Sequence, residues 1–322
     1  MFRTELNISP SSFKLNHSTQ LLTIGSCFSQ VIGERLLNNK FATSVNPFGT
    51  IFNPVSIAKL LESSLLNDNS LTHASVENKG VWFNHHVHSD FYGMSKDELN
   101  SKLTDRLKEI NLFLKDADTI IITLGTAFVY RLKETNEVVA NCHKVPAANF
   151  TKELLTAENI TTALGSVFHQ LKTHNSKLGI ILTVSPVRHT KDTLQLNSLS
   201  KSVLRVACHE LSQLYPEVIY FPSYEIMLDD LRDYRFYKED MIHPTEVAEE
   251  YIWNKFSDCF FEEETKDIVK EWLSLSKALQ HRPFRENSEE HKKFLLSTLG
   301  KLELLKGKID VSREIEFLKS KI

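Results

Sequence analysis

Short apolar runs alternate with longer amphipathic stretches along most of the chain. The first run, Leu21-Leu22-Thr23-Ile24-Gly25, leads straight into Phe28, Val31, Ile32 and Leu36, which recur at helical spacing. Residues 41–45 give a second strand. After Asn46-Pro47-Phe48-Gly49 a helix begins near Pro54, whose missing amide donor is no loss in a first turn. Residues 119–125 are the strongest strand, rich in β-branched side chains and closed by Gly125. The helix before it, residues 95–114, sets Leu99, Leu103, Leu107, Ile110 and Leu114 along one stripe. Two more strands, residues 179–184 and 218–221, follow helices over 151–173 and 194–214. Strands separated by helices of ten or more residues pair in parallel through right-handed crossovers. The pattern predicts an α/β fold: a three-layer α/β/α sandwich on a sheet of about five parallel strands.

Two stretches break this rhythm, and the tail departs from it. Residues 81–92, from Val81 through His85, His86 and His88 to Tyr92, alternate and are aromatic, which predicts a hairpin or an ordered loop. Residues 127–132 and 137–141 flank Lys133-Glu134-Thr135-Asn136 and predict a second hairpin. From about Glu262 onward the chain is helical and highly charged, with no further strand. The expected organisation is a sheet-bearing unit over residues 1–261 and an extension of two or three helices over 262–322.

Charge narrows the partners. The chain has 322 residues, of which 38 are basic and 41 acidic, for a net charge of -3. That is too mild for a nucleic-acid or membrane-surface partner. Cys27, Cys142, Cys208 and Cys259 are scattered and form no C-x-x-C pair, so neither a zinc site nor a disulfide framework is expected. Residues 1–20 lack the apolar core of a secretory leader. The longest mostly apolar run, residues 119–130, falls short of the roughly 18 residues of a membrane helix. A soluble cytoplasmic protein is the expectation.

Ser26 stands at the junction of the first strand and the first helix. In a parallel sheet that junction lies at the carboxyl end of the strand, where ligands bind. Gly25 relieves crowding there, and the helix N-terminus behind Ser26 offers amide donors suited to a developing oxyanion. A serine on such a tight turn is expected to be exposed. The same residue is equally a plain helix cap. Asp240-Met241-Ile242-His243-Pro244 adds the other half of a mechanism. Serine needs a base to take its proton, and histidine needs a carboxylate to fix its tautomer. Three-residue spacing on a loop entering a helix near Thr245 lets Asp240 fold back on the His243 ring, although D-x-x-H alone also occurs by chance.

Gly25-Ser26-Cys27-Phe28-Ser29 resembles the signature of the GSCFA family, with serine in place of its final alanine. That family resembles the SGNH, or GDSL-type, hydrolases. The resemblance spans about residues 21–253 and includes Asn46-Pro47-Phe48-Gly49, Thr123-Leu124-Gly125-Thr126, residues 139–144 and residues 184–189. It implies ester or acyl hydrolysis without a metal or organic cofactor. By position, Ser26 matches the nucleophile, Asp240 and His243 complete the triad, and Gly49 matches an oxyanion-hole amide that joins the Ser26 turn. Gly49 is also an ordinary turn glycine after Pro47. The third block departs from the family pattern: Ala127 stands where a donor asparagine is expected, leaving the Thr126 hydroxyl, the Asn141 amide or His143 as replacements.

Other polar residues remain open. His85, His86, His88 and Asp90 could ligate zinc or iron but lack a partner motif, and read better as loop residues or a substrate wall. His88 and Ser89 are placed near the pocket, and Arg188 at the binding end of the sheet is suited to an anionic substrate group or to plain surface charge. The resulting expectation is a serine hydrolase acting on a small-molecule or carbohydrate ester, such as an O-acetyl sugar. Acyl transfer by the same triad and a binding protein that keeps the fold are the alternatives.

Overall fold

The computed structural model describes residues 4–281 and 288–322; the start of the N-terminal stretch and part of the tail, residues 1–3 and 282–287, lie outside the described residues. Five strands form the central sheet: β1 (Gln20–Gly25), β2 (Ala42–Val45), β5 (Thr119–Leu124), β9 (Gly179–Val184) and β10 (Val218–Tyr220). They are all parallel, in the order β10-β9-β5-β1-β2. Chain order reverses between β1 and β5. Such a switch point opens a crevice at the carboxyl ends of the strands, and Ser26 follows β1 directly.

Period-two alternation divides the strand side chains between two cores. Leu22, Ile24, Ile120, Ile122, Leu124, Ile180, Leu182 and Val184 face helices α2 (Pro54–Leu66), α3 (Lys96–Asp116), α4 (Ala157–His174) and α5 (Leu194–Leu214). Leu21, Ile121 and Ile181 face α1 (Cys27–Asn38) and α7 (Glu246–Phe260) on the other side. The expected three-layer α/β/α sandwich with five parallel strands is therefore present. No helix among the described residues is long and apolar enough to cross a membrane.

The two irregular stretches are sheets of their own. β3 (Ser75–Asn78) and β4 (Val81–Asn84) pair antiparallel, and residues 85–91 form the turn beyond them. β6 (Phe128–Leu132) pairs with β7 (Val138–Val139), as the expected hairpin requires, and also with β8 (Phe150–Leu154). That last strand corrects the expected helix start near residue 151. Helix α4 begins after Thr156, where a reciprocal capping pair with Asn159 supplies the first-turn hydrogen bonds. Pairing with β6 decides the conformation of residues 150–154, and a tertiary partner of that kind leaves no local signal.

Short helical turn α6 (Ser223–Glu225) runs into a π-helical turn, Ile226–Leu231. Among the described residues the tail holds three helices, α8 (Glu263–Leu279), α9 (Glu289–Leu305) and α10 (Ser312–Lys319), sharing a small apolar core around Trp272, Leu302 and Val311. The Trp272 indole donates to the Asn38 carbonyl at 2.6 Å, and Lys40 pairs with Glu314 at 2.7 Å. Asn38 ends α1, whose first residue follows Ser26, so the tail docks at the end of α1 remote from the crevice.

Candidate active site

The Ser26 turn is held by backbone geometry. Gly25 has φ +142°, and a Cβ there would lie 2.2 Å from the Thr123 carbonyl oxygen, so only glycine fits. Ser26 donates its amide to that carbonyl at 3.0 Å, and its Oγ accepts the Phe28 amide at 3.3 Å as the cap of α1. The expected exposure is not found: Ser26 is fully buried. The loop after β2 closes over the turn, with Ile51 donating to the Gly25 carbonyl at 2.8 Å and Asn46 Oδ1 accepting the Gly25 amide at 3.0 Å. Because the cap uses the hydroxyl as an acceptor, its proton remains available to a base.

Asp240 and His243 form a tight turn in which Met241 adopts a left-handed φ of +57°. Strain of this kind persists only where surrounding bonds hold it. Asp240 Oδ1 accepts the amides of Ile242 at 2.8 Å and His243 at 3.0 Å, while Oδ2 meets His243 Nδ1 at 2.7 Å. The His243 amide, its imidazole and the Ile242 amide hold the Asp240 carboxyl well below the usual carboxylate range. Asp240 therefore stays ionised at neutral pH and fixes the ring. The His243 side chain keeps 43% of its surface accessible, and Nε2, opposite the carboxylate, has no protein hydrogen bond among the described residues.

A ring of electrostatic neighbours joins the two turns. Glu249, in the first turn of α7, lies within charge range of both His243 and Cys27. His189 senses His243 and Lys201, and Lys201 senses Cys27. The loop after β9 is also tied directly to the Asp240 turn. Arg188 donates its amide to the Ile242 carbonyl at 3.2 Å and its guanidinium to Met241 at 3.4 Å.

Lys201 was not anticipated. It is 1% exposed and has no carboxylate partner among the described residues; its ammonium donates to the carbonyls of Gly125 at 2.9 Å and Ser185 at 2.7 Å, just past the ends of β5 and β9. Burial lowers it to about 7, against a smaller upward pull from Cys27. Its neighbour Ser200 accepts the Ala127 amide at 2.8 Å. The signal was present in the sequence: Asn197, Lys201, Leu204, Cys208 and Leu211 occupy one helical stripe, so the lysine falls in an apolar phase of α5.

The expected oxyanion donors have partners of their own. Besides the Ser26 amide, Gly49 gives its amide to the Asn46 carbonyl at 2.8 Å, closing the turn that its φ of +73° allows. Thr126 donates its amide to Phe52 at 3.1 Å, and its hydroxyl lies 3.1 Å from Ser200 Oγ while accepting the Phe128 amide. Thr126 is thus tied into the loop after β5. The Cys27 amide, first in α1, has no backbone acceptor among the described residues.

Asn141 belongs to a cluster beside the loop after β2. Its Nδ2 donates to Ser89 Oγ at 3.1 Å, and its Oδ1 accepts the His143 amide at 2.9 Å. His88 presses on Gly49, where an added Cβ would come within 2.3 Å of the His88 Cβ. Ser89 and His143 line a cavity of about 220 Å³ with Asn78, Lys79, Phe83 and Lys144. The sequence thus named residues on two sides of Ser26: His88, Ser89, Asn141 and His143 on the β2 side, and Arg188 on the β9 side.

The histidines of this region point to separate partners. His85 Nδ1 meets the Asn141 carbonyl at 2.8 Å, His86 lies near Lys59 and Glu137, and His88 pairs with Asp90 at 3.2 Å. No group of three or more histidine, cysteine or acidic residues able to hold a metal ion is found among the described residues.

A central parallel sheet whose strand order reverses beside Ser26 defines an α/β/α protein, and the family follows from the sequence. The GSCFA family matches residues 20–256, and the C-terminal domain of GSCFA domain proteins matches residues 272–322. The chain belongs to the GSCFA family. No curated protein matches it. Among solved structures, it is similar to a provisionally named platelet activating factor from Streptococcus pneumonia, at 13% identity and a TM-score of 0.40, over 75% of this chain and 83% of that one. It is also similar to the acetyl xylan esterase Est2A from the rumen bacterium Butyrivibrio proteoclasticus, at 14% identity and a TM-score of 0.33, over 76% of this chain and 66% of that one. Neither likeness is close enough to fix an activity.

Proposed function

We propose that the protein is a serine ester hydrolase in which Ser26 attacks an acyl carbonyl, His243 is the general base and Asp240 orients it. The observation that carries this reading is the Asp240–His243 pair, with Nδ1 engaged at 2.7 Å and Nε2 open, and with Glu249 in charge range of both His243 and Cys27, the residue after Ser26. In the first step Ser26 Oγ bonds to the carbonyl carbon and its proton passes to His243 Nε2. His243 then returns that proton to the departing alcohol, leaving an acyl-serine. Water, deprotonated by His243, releases the acid and restores Ser26.

The oxyanion requires donors other than those already bonded. The Cys27 amide and the second N–H of Asn141 supply them, and Gly49 joins only if its turn to Asn46 opens. Each such donor is worth about 2.7–4 kcal/mol in the transition state. Hydrolysis of short-chain aryl esters by wild type and by Ser26→Ala tests the reading. Turnover confined to the wild type supports it. Ser26→Ala turnover at the wild-type rate removes Ser26 as nucleophile.

A further inference from the structure

A second cavity, of about 340 Å³, opens on the β9 side and is lined by Arg188, Asp229, Arg232, Asp233, Tyr234 and Tyr237, with Met227 and Leu228 completing the wall. Its volume falls within the range of small-molecule sites. It continues into a narrower recess that shares Arg188 and Tyr237 and reaches Lys201. Arg188 ties this cavity to the turn that carries His243 through its bonds to Met241 and Ile242.

The lining has a definite chemistry. The Arg188 guanidinium lies 3.7 Å from the centre of the Tyr237 ring and 5.5 Å from that of Tyr234. A stacked guanidinium has its plane fixed and presents its N–H fork sideways, which suits planar or tetrahedral oxyanions. Neither Arg188 nor Arg232 has a carboxylate within ion-pair distance among the described residues, whereas Asp233 faces Arg235. Tyr234 is 65% exposed, with a ring face free for stacking. Arg232 adopts a left-handed φ of +33° at the end of the π-helical turn. Non-glycine strain and π-helical turns both recur at functional sites.

We infer that this cavity holds the alcohol half of the substrate, a hydroxylated ring bearing a carboxylate or a phosphate. Arg188 and Arg232 take the anion, Tyr234 takes the ring face, and Asp229 accepts from ring hydroxyls. The assignment of the bound group as the alcohol half rests on the ester-hydrolase reading. The binding itself does not.

The test is equilibrium binding to the full chain, by calorimetry or ligand-observed NMR, with glucuronate, glucose 6-phosphate, glucose and inorganic phosphate as probes. At least one anionic sugar should bind at least about tenfold more tightly than glucose, and more tightly than inorganic phosphate. Arg232→Gln and Tyr234→Ala, both at exposed positions, should each weaken that sugar several-fold. Ser26→Ala should bind it as the wild type does. Glucose binding as tightly as both anions, inorganic phosphate matching both sugars, or indifference to Arg232→Gln would overturn the inference. Binding retained in a protein that cleaves no ester would leave the site standing and sink the hydrolase reading alone.

Discussion

His243 and His143 are both bonded through the ring, yet the fold uses them in opposite ways. His243 keeps much of its side chain accessible, faces the Asp240 carboxylate and has an open Nε2. His143 is 4% exposed, directs Nε2 to the Asn84 carbonyl at 2.7 Å and stacks on Phe83. Burial lowers His143 to about 4, and His86 and His189 likewise, so all three are neutral near pH 7. A buried imidazole with carbonyl or aromatic neighbours braces a loop. One with a carboxylate behind it and an open nitrogen ahead can move a proton.

Exchanging each histidine for alanine breaks the comparison most sharply. His243→Ala should lower kcat for ester cleavage by roughly 10⁴–10⁶, and adding Ser26→Ala should cost little more, because triad members act as a unit. His143→Ala should instead lower stability by about 2–3 kcal/mol in urea unfolding, since it removes a buried hydrogen bond to the Asn84 carbonyl and the stack on Phe83. A His143→Ala protein of full stability would refute its bracing role.

Acid sharpens the contrast on a smaller scale. Below the ordinary histidine pKa near 6.5, the unfolded chain takes up protons that His86, His143 and His189 refuse until about pH 4. The unfolded state thus binds more protons, and stability falls as pH drops from 6.5 toward 4, by on the order of 1 kcal/mol per pH unit for each histidine. Urea midpoints at pH 7 and pH 5 measure the slope, and His86→Asn should flatten it. The smallest effect concerns metals: chelation should leave ester cleavage unchanged, because the proposed step uses side chains alone. Activity lost to a chelator and restored by one metal would return His85, His86 and His88 to the mechanism.

The sheet, the Ser26 junction and the Asp240–His243 turn were legible because each rests on local pattern: strand alternation, a glycine before a helix start, and three-residue spacing. What local pattern does not carry was missed. Residues 150–154 are a strand because β6 offers them a partner. Ser26 is buried because the loop over Asn46 and Ile51 folds back on Gly25, a contact between segments more than twenty residues apart. The amides of Ser26 and Gly49 are engaged by the Thr123 and Asn46 carbonyls, which residue identity cannot reveal. Lys201 lay within reach of a stricter reading of the α5 stripe.

Labelling with a fluorophosphonate probe tests the central claim most directly. The probe forms a covalent phosphonyl–serine bond with loss of fluoride, and only at a serine that a base activates. Intact mass followed by peptide mapping should find one adduct, on Ser26, that falls to background in His243→Ala. A wild-type protein that stays unlabelled, or is labelled at another serine, would contradict the assignment of Ser26 as the nucleophile.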